Sequence, residues 1–141
     1  MDMTTSDTAA RLRRAVTRMN RKLRYSSLGG VSPAQASMLA SIDKLTSPSL
    51  GDLAIAEQIQ PPSVTKIVKD LVRDGLVTTV ADPFDRRSTR VQLSVLGRKE
   101  LNLIRQRKTE FLERKLLSLS TSDRRKAEEL LTFLETLLED E

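Results

Sequence analysis

A change of hydrophobic period near the middle of the chain constrains the fold most. Before Leu76, apolar residues recur at helical spacing over residues 61–74, and Gly75 then suits a helix C-terminal cap. After this point, residues 76–80 and 90–94 show the β-branched and alternating patterns of two short strands. The sequence therefore predicts an amphipathic helix followed directly by a β-hairpin.

The rest of the chain predicts further helices. In chain order we expect a long helix over 8–27, a helix opening at Ser32-Pro33, a brief helix over 49–57, the helix over 61–74, the hairpin, a long helix from Val95 and a last helix after Ser120. The fold class is mainly α: a winged helix-turn-helix with a two-stranded β-wing between N- and C-terminal helices. The first and last helices carry more apolar surface than one subunit easily covers, which predicts a dimer.

The composition excludes most enzyme chemistries. The 141 residues include no Cys and no His, so we expect no catalytic residue, metal site or cofactor. Aromatic residues make up only 3% of the chain, too few for base stacking on single strands. The longest apolar run has four residues and no signal peptide is visible, so we expect a cytoplasmic protein without a membrane partner.

The helix over 61–74 has the residues that a DNA-reading helix needs. Its predicted outward side holds short hydroxyl and basic side chains, namely Ser63, Thr65, Lys66 and Lys69. Unpaired backbone N–H groups near Pro62 and Ser63 would also favour a phosphate. An ordinary amphipathic helix with a solvated face would show the same pattern.

The loop from Asp82 to Arg90 concentrates charge at the predicted hairpin tip. It holds the basic residues Arg86, Arg87 and Arg90 beside Asp82 and Asp85. Arginine side chains often enter a narrow minor groove because its potential is strongly negative. Most charged loops are only solvated, but the position directly after a helix-turn-helix favours a DNA contact.

These segments resemble the MarR family of transcriptional regulators. The matching residues are the wing runs Asp82-Pro83-Phe84-Asp85-Arg86-Arg87-Ser88 and Val91-Gln92-Leu93-Ser94-Val95-Leu96-Gly97, with Leu53-Ala54, Val64-Thr65, Leu71 and Gly75-Leu76-Val77 in the helix-turn-helix. The resemblance covers nearly the whole chain. Two residues depart from the family pattern: Gln58 stands where the turn usually has Gly, and Ser94 replaces the usual Thr.

The resemblance implies a homodimer on double-stranded DNA. Residues 31–94 would form the winged helix-turn-helix, and 1–30 with 95–141 the dimerisation region. Each subunit would bind half of a pseudo-palindromic operator, most often as a repressor. By position, Asp85 resembles the acid that orients the wing, and Arg87, with Arg86 a close second, the arginine that enters the minor groove.

The resemblance also implies a small anionic aromatic or phenolic effector that releases the protein from DNA. The residues that could line its pocket are Arg18, Met19, Met38 and Phe111. The alternative to a DNA-binding regulator is a winged-helix module that binds protein without specific DNA affinity.

Overall fold

The computed structural model describes residues 2–27 and 29–139, and its elements follow the predicted order. The helices are α1 (Thr5–Ser27), α2 (Pro33–Leu45), α3 (Leu50–Glu57), α4 (Pro61–Arg73), α5 (Val95–Leu117) and α6 (Thr121–Leu138), and the strands are β1 (Val77–Ala81) and β2 (Thr89–Leu93). The mainly α fold with a two-stranded wing is therefore confirmed. Both strands lie one residue nearer the loop than predicted, because Ala81 and Thr89 still pair across the hairpin.

Capping boxes start α2 and α3, as their sequences predict. The hydroxyls of Ser32 and Ser49 accept hydrogen bonds from the N–H groups of Gln35 and Asp52, at 3.1 and 3.0 Å. The side chains of Gln35 and Asp52 accept from the serine N–H groups in return. Both helix starts are thus fixed by residues local in the sequence.

The turn between α3 and α4 is left-handed at a residue that is not glycine. Gln58 has φ 55° and ψ 43°, and its N–H donates to the carbonyl of Ile55 at 3.2 Å. A side chain in this conformation costs about 1–2 kcal/mol relative to the right-handed region. Gln58 therefore adopts the geometry that usually requires Gly at this turn.

The junctions around the hairpin depend on two glycines and a serine. Gly75 has φ +75° and follows the end of α4, as predicted for a C-terminal cap. The hydroxyl of Ser94 accepts from the N–H of Gly97 at 2.9 Å and so caps α5. A Cβ on Gly97 would lie 1.8 Å from the carbonyl oxygen of Leu76, so only glycine lets α5 approach this closely.

The core lies beneath the helix-turn-helix and the hairpin. Its buried residues come from α2 to α5, both strands and the segments just before α2 and between α4 and β1: Val31, Met38, Leu39, Ile42, Leu53, Val64, Val68, Leu71, Leu76, Val77, Val91, Leu101 and Ile104. The segment before α3 also joins the hairpin, because the N–H of Val91 donates to the carbonyl of Pro48 at 2.9 Å. This bond ties the wing to the helix-turn-helix.

The chain divides into two compact units, Met1–Lys108 and Thr109–Glu141, with the division inside α5. The first unit holds the core described above, and two apolar residues of its α1, Val16 and Met19, are exposed. In the second unit, none of the described residues of α6 is buried. The division into a winged helix-turn-helix over 31–94 and a dimerisation region stays a prediction. In the part of the chain that the structure describes, no helix combines the length and apolarity needed to cross a bilayer.

Candidate nucleic-acid interface

Helix α4 separates its apolar and polar residues onto two faces. Val64, Val68 and Leu71 are buried in the core. The side chains predicted to contact DNA are all exposed: Ser63, Thr65, Lys66 and Lys69. The structure therefore presents the predicted hydroxyls and cations together on one rigid, core-anchored helix.

The two hydroxyls of this face differ in their hydrogen bonds. The hydroxyl of Thr65 donates to the carbonyl of Pro61 at 3.1 Å, within its own helix. The hydroxyl of Ser63 has no hydrogen-bond partner among the described residues. Ser63 is therefore the better placed of the two to donate a hydrogen bond to a base or a phosphate.

The N-terminus of α4 does not offer the unpaired N–H groups that the sequence suggested. Pro61 and Pro62 have no N–H, and the N–H groups of Ser63 and Val64 donate to the carbonyl of Gln60 at 2.9 and 3.3 Å. The prediction that backbone donors near Pro62 and Ser63 hold a phosphate is therefore wrong. Pro62 is exposed and offers a DNA backbone only its ring and its carbonyl.

Asp82 organises the loop at the tip of the wing. Its side chain is only 6% exposed, and one carboxylate oxygen accepts from the N–H groups of Phe84 and Asp85 at 2.8 and 3.3 Å. Its own N–H donates to the carbonyl of Ser88 at 3.0 Å, which closes the loop. A single buried carboxylate thus holds the backbone of the tip.

Asp85 supports the arginine that follows it through the backbone. Its carboxylate accepts from the N–H of Arg87 at 3.0 Å, and its carbonyl accepts from the N–H of Ser88 at 3.0 Å. Arg86 and Arg87 are exposed, and neither guanidinium has an ion pair among the described residues. The loop therefore holds two cations in solvent on a fixed backbone.

Arg90 was predicted to contact DNA with the other wing arginines, but its guanidinium is paired within the protein. Its guanidinium lies 2.9 Å from a carboxylate oxygen of Asp82, 3.6 Å from Asp52 and 3.4 Å from the carbonyl of Ser47. These contacts join the wing to the start of α3. The geometry makes Arg90 a brace that positions the loop. Its side chain is 37% exposed, and a direct contact with DNA stays a prediction.

The same contacts change the acidity of two carboxyl groups. The N–H of Phe84 and the guanidinium of Arg90 stabilise the ionised form of Asp82 and hold its pKa below the ordinary aspartate value. Hydrogen bonds from the backbone and hydroxyl of Ser49, with the charge of Arg90, lower the pKa of Asp52. The brace therefore stays fully charged at neutral pH.

The sequence placed Asp82 beside the wing arginines, but it did not identify Asp52 and Ser47 as supports of the loop. The signal for Asp82 was local, since an Asp before Pro and a charged turn often hydrogen-bonds the backbone two residues on. Asp52 and Ser47 gave no such signal, because their contacts with Arg90 join distant parts of the chain.

The predicted ligand-pocket residues lie in both compact units and differ in burial, and the pocket that they would share stays a prediction. Met38 is completely buried in the core, so it packs the helix-turn-helix and does not line a pocket. Arg18 and Met19 are exposed on α1, and Phe111 is half-buried in the other compact unit. The described residues include no group of three His, Cys, Asp or Glu side chains that could hold a metal ion.

Together, α4 and the wing define the class of the protein. A core-anchored helix presents hydroxyls and lysines, and within the same compact unit a hairpin presents two arginines at its tip. This is the arrangement of a winged helix-turn-helix that binds duplex DNA.

Comparisons with known proteins give the family. The model of the MarR family matches residues 31–89. An HTH-type transcriptional regulator of Mycobacterium tuberculosis is 32% identical over 117 residues, covering 82% of this chain and 82% of that protein. A crystal structure of a transcriptional regulator from Pseudomonas aeruginosa has a TM-score of 0.82 and 32% identity, covering 97% of this chain and 99% of that chain.

A mutant of MepR from Staphylococcus aureus, solved bound to an oligodeoxyribonucleotide, shares the fold. Its TM-score is 0.69 at 20% identity, covering 98% of this chain and 100% of that chain. The chain belongs to the MarR family of DNA-binding transcriptional regulators. It is therefore a regulator and not an enzyme.

Proposed function

We propose that the protein represses transcription as a homodimer on a pseudo-palindromic operator. The observation that carries this proposal is the joint exposure of Ser63 and Lys66 on α4 with Arg86 and Arg87 on the wing. One subunit has one such helix, whereas two successive major grooves on one face of DNA lie about 34 Å apart. A two-fold symmetric dimer would fill both grooves.

The uncovered apolar residues support the dimer. On α6, Leu130, Leu131, Phe133, Leu137 and Leu138 are all exposed. Apolar surface of this extent is typical of protein–protein contacts and not of monomers. We assign this surface to the partner subunit, together with the exposed apolar residues Val16 and Met19 of α1.

We assign residues to the two grooves of each half-site by the chemistry of their side chains. Helix α4 would lie at the major groove, where hydroxyls reach base edges and lysines neutralise phosphates. Its contacting residues would be Ser63, Thr65, Lys66 and Lys69, with Pro62 beside them. Arg87 and Arg86 would enter the minor groove, and Asp85 would fix their backbone. Arg90 would act through the loop that it braces.

An open groove in the first unit supports an anionic aromatic effector. Leu93, Val95 and Leu103 supply apolar walls around a volume of about 470 Å³, and Lys99 supplies positive charge. The guanidinium of Arg98, also in the lining, is paired with Asp43 at 3.0 Å. This volume lies within the range of small-molecule sites. Such a ligand would release DNA only if it bound two arrangements of the DNA-binding helices with different affinity.

Because the protein would act on chromosomal DNA, we also propose that it is cytoplasmic.

Footprinting on the DNA flanking its own gene tests this function. We expect protection of a two-fold symmetric site whose half-site centres lie about one helical turn apart. A footprint without two-fold symmetry, or a stable monomer by light scattering at micromolar concentration, would contradict the dimeric repressor. A protein-interaction module, the alternative function, would give no sequence-specific footprint.

A further inference from the structure

The most exposed apolar side chain of the DNA-facing surface lies at the tip of the wing. Phe84 is 97% exposed, and it is one of only three phenylalanines in the chain. It makes no contribution to the core and has no ring contact among the described residues. Folding therefore does not account for an aromatic residue at this position.

The backbone beneath Phe84 is fixed. Its N–H donates to the buried carboxylate of Asp82 at 2.8 Å, and Asp82 is paired with Arg90 at 2.9 Å. The side chain is thus carried by a braced turn, and little backbone entropy would be lost if the tip met a binding surface.

The neighbours of Phe84 determine what kind of surface that is. Arg86 and Arg87 follow within three residues, both exposed and without an ion pair among the described residues. Two cations beside an apolar ring match a polyanion into which an apolar side chain can also insert. Duplex DNA has both properties, because its minor groove carries a strong negative potential and apolar side chains can insert there between base steps.

We propose that Phe84 contacts operator DNA, entering the minor groove beside Arg87 and wedging against a base step. This inference deepens the proposed function and rests on it. Apolar side chains that enter the minor groove partly unstack one base step and bend the duplex. Because pyrimidine–purine steps unstack most easily, the operator should have such a step under each wing.

Binding measurements on the footprinted operator test the contact. We expect Phe84→Ala to weaken binding about tenfold, the effect typical of losing one aromatic–base contact. The slope of log K against log salt should not change, because no charge is removed. Phe84→Leu should retain part of the affinity, since leucine also forms apolar wedges.

Ile55→Ala is the matched control. Ile55 is 80% exposed and apolar but lies on α3, outside the wing loop. We expect this variant to bind the operator within twofold of the parent. Since both side chains are largely exposed, neither change should alter the melting temperature.

The absence of tryptophan from the chain gives a direct probe. Phe84→Trp places the sole tryptophan at the tip, and we expect operator DNA to protect its emission from acrylamide quenching. Replacing the pyrimidine–purine step by a stiff A-tract should reduce that protection.

Three results would overturn the inference. If Phe84→Ala binds as tightly as the parent while Arg87→Ala binds more weakly, the wing contacts DNA without Phe84, and the proposed function stands. The same conclusion follows if operator DNA leaves the tryptophan fully accessible to acrylamide. If no operator footprint is found, both the contact and the proposed function fail.

Discussion

Helix α4 and the wing loop expose their polar side chains through opposite kinds of support. The helix is anchored by apolar side chains, with Val64 and Leu71 completely buried. The loop is anchored by hydrogen bonds and charge around Asp82 and Arg90. Changes beneath the helix should therefore act mainly on folding, whereas changes in the loop should act on DNA binding and on the charge balance of the wing.

Removing the apolar anchor of α4 should have the largest effect. Leu71→Ala should lower the free energy of unfolding by about 2–5 kcal/mol, because it deletes a fully buried side chain and leaves a cavity. Denaturant unfolding measures this loss. The neighbouring Val72→Ala is the control, since Val72 is exposed and should change stability by only about 0.5 kcal/mol. Equal effects of the two variants would contradict the described orientation of α4.

Changing the outer face of the same helix should alter specificity and leave stability unchanged. Ser63→Ala should reduce the discrimination between operator and scrambled DNA by about 1–3 kcal/mol, if the unpartnered hydroxyl contacts a base. Competition binding measures the ratio of the two affinities. Ser122→Ala, at an exposed serine of α6, should leave that ratio unchanged. Unaltered discrimination in Ser63→Ala would remove this residue from the base contacts.

The turn that leads into α4 should gain stability from glycine. Gln58→Gly should raise the free energy of unfolding by about 0.5–1 kcal/mol, because glycine adopts the left-handed conformation without strain. Thermal unfolding measures the change. Gln60→Gly is the matched control: Gln60 has φ −73°, so glycine relieves no strain there and should not stabilise. A loss of stability in Gln58→Gly would show that this turn carries no strain.

The smallest effect should appear in the acid dependence of the wing. Because the pKa of Asp82 is lowered in the folded state, the unfolded chain takes up this proton first as the pH falls. The stability that Asp82 contributes is fully present above the ordinary aspartate pKa. It is lost as the pH falls through the lower pKa that Asp82 has in the folded state. Melting temperatures between pH 6 and 3 should therefore fall less steeply in Asp82→Asn than in the parent. Parallel curves would contradict the described network.

The features that could be predicted from the sequence are those set by residues close together in the chain. The capping serines Ser32 and Ser49, the glycine that ends α4 and the division of α4 into two faces all depend on residues within one or two helical turns. The brace of the wing could not be predicted, because Arg90 meets Asp52 and Ser47 only after the chain has folded. Met38 was misassigned for a similar reason, since its complete burial depends on packing between helices.

The salt dependence of operator binding tests the central claim, that α4 reads sequence while the wing holds cations in the minor groove. Affinity should be measured at several salt concentrations for the parent, Arg87→Ala and Ser63→Ala. We expect Arg87→Ala to bind all DNA more weakly and to make the slope of log K against log salt shallower by up to about two per dimer. Ser63→Ala should keep the parent slope. An unchanged slope in Arg87→Ala would contradict the account, because the wing arginines would then not contact DNA.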